Sequence, residues 1–227
     1  MPVFQLTDSP FFPPPHLARE DGLIAVGGDL SPERILVAYQ MGIFPWYSQG
    51  EPILWWAPDP RLVLFPDELR ISKRLARTIR KKPFRITMDS AFRQVIESCA
   101  KFPRPGQEEA GTWIVEEMIE AYCTLHDLGF AHSVECWDGD ELVGGLYGLA
   151  IGAIYYGESM FSKASDASKI GMAFLVEKLA GWGFEMIDCQ IATDHLKRMG
   201  AREIPADDFY DRLNIALSKP TRQGKWG

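Results

Sequence analysis

Residues 131–161 constrain the fold most. Runs of β-branched, aromatic and small apolar residues cover 131–137, 141–150 and 153–161, and they are punctuated by Asp138-Gly139-Asp140 and by Gly152. Turn residues at such short intervals leave room only for hairpin connections, so three consecutive strands are expected. A helix should follow, capped by Ser165 or Ser168 and running to about Leu179, with Gly181 and Gly183 ending it. Residues 185–191 then read as a strand, 194–199 as a short helix, and the chain from Ile204 onward as a last strand and helix. The order βββαβαβ predicts an α+β protein built on a mixed sheet.

Upstream of this region, Pro13-Pro14-Pro15 favours an extended arm. Ser31-Pro32-Glu33 combines a capping hydroxyl, a proline at the first helical position and an acid in the first turn, and Gly42 can close the turn at the far end. A helix over 32–41 is therefore predicted. Aromatic residues crowd 43–47 and 53–56, a density that most often marks core. Pro58-Asp59-Pro60 is a natural break, which divides the chain into a small α/β unit at 1–60 and a larger mixed-sheet unit at 61–227. The element order of the larger unit resembles the GNAT-type N-acetyltransferase fold, whose sheet splays to admit an acyl donor.

A net charge of −7 opposes indiscriminate nucleic-acid binding, so any contact with phosphates must be local. The one candidate is Leu69 to Arg85, with eight basic residues in seventeen and no acid. Lys73, Arg77, Arg80 and Lys81 recur at helical spacing, with Ile71, Leu75 and Ile79 on the opposite face. This is an amphipathic helix with a basic stripe, either a solvated face or a polyanion contact. A second helix is predicted over 112–128, with Gly129 after its end. No apolar run approaches the roughly 20 residues that cross a bilayer, and no basic segment leads into an apolar one at the N-terminus. A cytoplasmic protein without membrane contact is expected.

Strand alternation sets Asp188 and Gln190 on one face and Cys189 on the other. The pair offers a carboxylate and an amide at a strand end, where open sheets place their sites; a surface pair without a role fits the spacing equally well. No histidine lies close enough in sequence to Cys189 to suggest an activated nucleophile, so a buried structural cysteine is expected. The same arithmetic puts Glu158 beside Met160, a combination suited to an amine next to an apolar group; a surface ion pair to Lys163 or Lys169 is the alternative. The dispersed cysteines and histidines give no zinc or disulfide pattern. Residues 106–112 have Walker-like glycines without the lysine, Gly144-Gly145-Leu146-Tyr147-Gly148 lies within a strand, and 162–169 lacks the Q/R-x-x-G-x-G/A loop that holds coenzyme A. No cofactor is expected.

The segments GLIAVGGDLSP (22–32), GIFPWY (42–47), ILWWAPDPR (53–61), GTWI (111–114), HSVE (132–135), LVGGLYG (142–148), GESMFS (157–162) and IDCQ (187–190) together resemble the bacterial leucyl/phenylalanyl-tRNA-protein transferases, nearly end to end. The resemblance implies a monomeric enzyme that moves leucine or phenylalanine, less readily methionine, from aminoacyl-tRNA to the α-amine of proteins beginning with lysine or arginine, marking them for degradation. No metal or ATP is implied, because the ester is already activated.

Matched residue by residue, the family's catalytic carboxylate and amide fall on Asp188 and Gln190 and its second acid on Glu158. The resemblance implies that Asp188 and Gln190 position or deprotonate the acceptor amine, unless the substrate ribose moves the proton. It also implies that Glu158 favours the cationic acceptor or fixes the donor amine. Met160, Met172 and Leu175 would wall the aminoacyl pocket, with Leu146 where a methionine is common. Trp46 and Trp113 would flank the terminal adenosine with Tyr39 and Tyr122 nearby, and Lys73, Arg77, Arg80 and Lys81 would carry the acceptor-stem phosphates. Thr193 stands where an asparagine often helps hold the acceptor peptide. A coenzyme A-dependent acetyltransferase is opposed by the missing loop, and a non-catalytic tRNA- or peptide-binding module by the Asp188 and Gln190 pair.

Overall fold

A computed structural model describes residues 3–102 and 113–227; the Walker-like stretch 106–112 and the expected helix start at 112 lie outside them. The described strands form two sheets. The smaller joins β1 (Phe4–Leu6), β2 (Leu23–Gly27), β3 (Phe44–Pro45) and β4 (Leu54–Trp56) in the order β1-β2-β4-β3. Between β2 and β3 runs α1 (Pro32–Gln40), begun as its sequence predicts, with the Ser31 hydroxyl accepting from the Arg34 N–H and Pro32 at the first position.

The larger sheet has seven strands in the order β11-β5-β10-β9-β8-β7-β6. These are β5 (Arg61–Leu64), β6 (Arg85–Met88), β7 (Ala131–Asp138), β8 (Glu141–Ile151), β9 (Ile154–Ser162), β10 (Met186–Gln190) and β11 (Arg202–Ile204). β6 to β9 form an antiparallel meander, whose β7–β8 turn closes with Asp138 opposite Glu141 and Gly139 at a φ of 59°. β10 lies parallel to β9, a pairing that needs a crossover, here α5 (Ala167–Gly181). The predicted βββαβαβ order is present, and the sheet is mixed. Sequence patterning misses β5 and β6, which occupy the second position from one edge and the opposite edge.

Helix α5 covers one face, where Met172, Leu175, Val176 and Leu179 pack with Leu146, Tyr155 and Ile187. A Cβ on Gly144 would come 2.6 Å from the Ala167 Cβ, so glycine there lets the first turn of α5 lie against β8. The start of α5 differs from expectation: neither Ser165 nor Ser168 caps it, and Asp166 holds the cap position in a left-handed conformation with φ 63°. On the opposite face, α3 (Phe92–Lys101) and α4 (Glu116–Asp127) contribute Val95, Ile96, Met118 and Leu125 against Tyr147, Leu149 and Tyr156. The same cluster includes Ile24, Ile35 and Trp55. Re-exposing such side chains would cost roughly 1.5–3 kcal/mol each, so one core holds both sheets together. Three more helices, α2 (Lys73–Arg80), α6 (Asp194–Arg198) and α7 (Ala206–Leu217), complete the described α-helices. No described helix is long and apolar enough to cross a membrane.

Candidate active site

β9 and β10 pair in parallel only as far as Tyr156 and Asp188. Beyond that point a cavity of about 1120 Å³ opens, lined on one side by residues 157–166 and on the other by residues 189–196. Both strands carry a bulge where they part. Tyr147 and Gly148 of β8 face Ser159 and Gly157, so that Glu158 is the inserted residue of one bulge, and Val63 and Leu62 of β5 face Asp188 and Gln190, so that Cys189 is the inserted residue of the other. Such insertions re-aim side chains and recur beside functional sites. A Cβ on Gly148 would overlap the Tyr156 carbonyl oxygen, so the bulge in β9 depends on glycine opposite it. Gln190 takes a φ of 61°, a left-handed conformation that costs a residue bearing a Cβ on the order of 1–3 kcal/mol and needs support.

Glu158 is 5% exposed at the cavity wall. The Tyr39 hydroxyl and Gln190 Nε2 donate to its Oε1 at 2.7 and 2.9 Å, and the Tyr122 hydroxyl reaches its Oε2 at 3.2 Å. The two tyrosine hydroxyls lie 2.6 Å apart. Burial raises the Glu158 carboxyl to about 7, even though the bonds from Tyr39, Tyr122 and Gln190 favour the carboxylate. It therefore changes charge near neutrality. Burial also holds the Tyr39 and Tyr122 hydroxyls well above their ordinary value, so both remain donors.

Asp188 lies behind this wall. It is fully buried and does not line the cavity. Its Oδ1 accepts from Arg61 Nε at 2.8 Å and from the Gln190 N–H at 2.9 Å, and its Oδ2 accepts from Arg61 Nη2 at 2.6 Å. Both oxygens are thus occupied by protein donors, and a direct general-base contact between Asp188 and a molecule in the cavity does not fit this arrangement. Arg61, which sequence reasoning passed over, sits between the rings of Phe44 and Phe209, each centroid 4.8 Å from its Cζ.

The remaining expected site residues divide by exposure. Met160, Met172 and Leu146 line the cavity, as do Trp46, 37% exposed, and Trp113. Leu175 is fully buried in the core behind Met172 and meets no ligand space. Tyr39 and Tyr122, expected near the terminal adenosine, are fully buried and do not line the cavity; their hydroxyls hold Glu158. Glu158 and Met160 do not share a face as alternation predicts. The bulge turns Glu158 toward the α1 and α4 tyrosines, while Met160 packs with Leu146 and α5. Thr193 lines the cavity, but its hydroxyl accepts from the Leu196 N–H at 3.3 Å as the cap of α6. Cys189 lines it too, with a thiol that burial pushes up, far from a ready thiolate.

Lys73, Arg77 and Arg80 lie exposed on α2 and Lys81 just after it; no ion pair among the described residues engages them. Leu75 faces the core, whereas Ile71 precedes the helix and is 42% exposed. The helix borders the cavity mouth. Arg74, on the same helix, lines the cavity and pairs with Asp166 at 3.3 Å.

Two family models match the chain: one described as leucyl/phenylalanyl-tRNA protein transferase over residues 63–214, and one described as its N-terminal domain over residues 28–59. The leucyl/phenylalanyl-tRNA–protein transferase of Anaeromyxobacter sp. (strain Fw109-5) is 56% identical over 226 residues, covering 100% of this chain and 95% of the relative. Those of Myxococcus xanthus (strain DK1622) and Desulforapulum autotrophicum are 54% and 55% identical, again over 100% of this chain and over 97% and 98% of their own. Among solved structures, that of L-PGS from Bacillus licheniformis aligns with 89% of this chain and 66% of its own at 12% identity and a TM-score of 0.38.

Proposed function

Because this chain belongs to the leucyl/phenylalanyl-tRNA–protein transferase family, and so moves an aminoacyl group from tRNA to protein, we propose that the cavity beyond the β9–β10 parting is where that transfer takes place. The observation that carries this reading is the buried Glu158, held by Gln190, Tyr39 and Tyr122 at the cavity wall. A carboxyl with a value near 7 at the wall of a chamber is equipped to take a proton from an amine.

The donor is leucyl- or phenylalanyl-tRNA, and methionyl-tRNA less readily. Its side chain enters the wall of Met160, Met172 and Leu146, where two flexible thioethers accept either a branched or a ring side chain. Trp46 and Trp113 flank the terminal adenine, a contact available on every tRNA, and Lys73, Arg77, Arg80 and Lys81 meet the phosphates of the acceptor stem. The acceptor is a protein with lysine or arginine at its N-terminus, which the transfer marks for degradation. The enzyme acts as a cytoplasmic monomer. Residues 1–60 and 61–227 serve as its two units, the second with a GNAT-like sheet.

Gln190 gives its N–H group to Glu158, which leaves its amide oxygen to accept a hydrogen bond from the incoming α-amine. The amine nitrogen attacks the ester carbonyl, a C–N bond forms, and the bond from that carbon to the ribose oxygen breaks. Glu158 takes the proton that the amine loses and can return it to the departing ribose oxygen, so no proton is left over. Asp188 contributes by holding Gln190 rather than by meeting substrate.

The test is to supply purified protein with leucyl- or phenylalanyl-tRNA and a peptide beginning with lysine. A mass gain equal to one leucine or phenylalanine residue supports the reading. Acetylation from coenzyme A without aminoacylation, or tRNA binding without any product, overturns it.

A further inference from the structure

Arg61 stands at the start of β5, at the opposite end of a chain of contacts that ends in the cavity. Its guanidinium fixes both oxygens of Asp188, Asp188 Oδ1 accepts the backbone N–H of Gln190, and the Gln190 side chain reaches Glu158. Each link is short, and three of the four residues are almost wholly withdrawn from solvent: Arg61 is 1% exposed, Asp188 0% and Glu158 5%. The rings of Phe44, from the smaller sheet, and Phe209, from α7, close over the guanidinium, so its orientation is set by packing as well as by charge.

A buried ion pair is an inefficient way to gain stability, since apolar residues of similar volume often serve as well or better. Arg61 adds to that inefficiency, because its Nη1 has no hydrogen-bond partner among the described residues. What the pair supplies, and apolar side chains cannot, is direction. A flat guanidinium fork sets the plane of the Asp188 carboxylate, and the carboxylate fixes the N–H of a residue whose left-handed backbone is otherwise unfavourable.

We infer that Arg61 is a positioning residue of the transfer reaction, acting through Asp188 to lock the bulge that aims Gln190 into the cavity. The inference rests on the reading above that Gln190 meets the acceptor amine. A displacement of about 1 Å in a reacting group can cost about 100-fold in rate.

The test is a kinetic cycle with aminoacyl-tRNA and a lysine-initiated peptide, with thermal melting measured alongside. Arg61→Lys keeps the charge and loses the fork; kcat should fall about 10- to 100-fold, with KM for aminoacyl-tRNA within about twofold of the parent. Adding Gln190→Ala to Arg61→Lys should cost little more, because both changes act on one group. The double variant Arg61→Met/Asp188→Leu removes the pair without stranding a charge. It should melt near the parent temperature and remain as slow as Gln190→Ala.

Parent-like turnover in Arg61→Lys overturns the inference, as do losses that multiply with Gln190→Ala. Recovery of turnover together with stability in the apolar double variant also overturns it, since the pair would then serve the fold alone. If Gln190→Ala by itself turns over like the parent, the reading of Gln190 fails, and the Arg61 variants then report on a different group.

Discussion

The Gln190 amide reaches the Glu158 carboxylate at 2.9 Å across the gap where their two parallel strands part. Each residue comes from a bulged strand, one from β9 and one from β10. Two irregularities in neighbouring strands therefore converge on a single hydrogen bond, and the ionisation of Glu158 is the property most open to measurement.

If the carboxylate form of Glu158 accepts the amine proton, turnover should rise with pH through about 7 and level off above it. Tyr39→Phe removes a donor that favours the carboxylate, so the rise should move to higher pH. Glu158→Gln should abolish the rise and depress kcat by about 100-fold or more. A pH-rate profile of the three proteins, corrected for ionisation of the peptide amine, checks both the direction and its cause.

The same group links stability to pH. Its folded value of about 7 exceeds the ordinary 4.5, so its contribution is fully present below about 4.5 and is lost as pH rises through about 7. The shift corresponds to about 3 kcal/mol. Glu158→Gln should lose less stability than the parent between pH 4.5 and 8, as measured by denaturant titration at a series of pH values.

Trp46 is exposed enough to be replaced without unfolding the chain. Base stacking on an aromatic ring is worth about 1–3 kcal/mol, so Trp46→Ala should raise KM for aminoacyl-tRNA by about 5- to 150-fold. A short aminoacyl-adenosine donor should suffer the same loss. If the full tRNA loses affinity and the short donor does not, the ring acts on another part of the nucleic acid.

Reversing charge on α2 tests the opposite end of the donor. Arg77→Glu with Arg80→Glu should weaken tRNA binding and reduce the slope of log affinity against log salt by about 2. The short donor should react at the parent rate. Fluorescence titration across a range of salt concentrations gives both numbers.

Which parts of this arrangement are legible in the sequence follows from the range of the interactions. The β7 to β9 meander and α1 announce themselves because turn glycines and a serine cap act within a few residues. Strand alternation correctly separates Cys189, which packs on the α5 side, from Asp188 and Gln190. It fails for Glu158 and Met160, because a bulge is a relation between two strands and leaves no mark on one. The strands of the small sheet are too short for alternation to show, β3 spanning only Phe44–Pro45. The resemblance places Tyr39 and Tyr122 near the adenosine, and nothing in their local sequence tells which way either hydroxyl points. Arg61 closes the ILWWAPDPR segment, but nothing local marks its role, because its partner lies 127 positions away.

The core shared by the two sheets also bears on how such a chain can change over generations. Tyr39 belongs to α1 and Phe44 to the small sheet, yet one hydroxyl tunes the acid on β9 and one ring covers Arg61 on β5. Exchanging the first 60 residues for those of a distant relative would therefore graft a foreign partner onto the proton-handling centre. The two stretches are expected to be inherited as a matched pair, and chimaeras joined at the Pro58-Asp59-Pro60 break to work best between near kin.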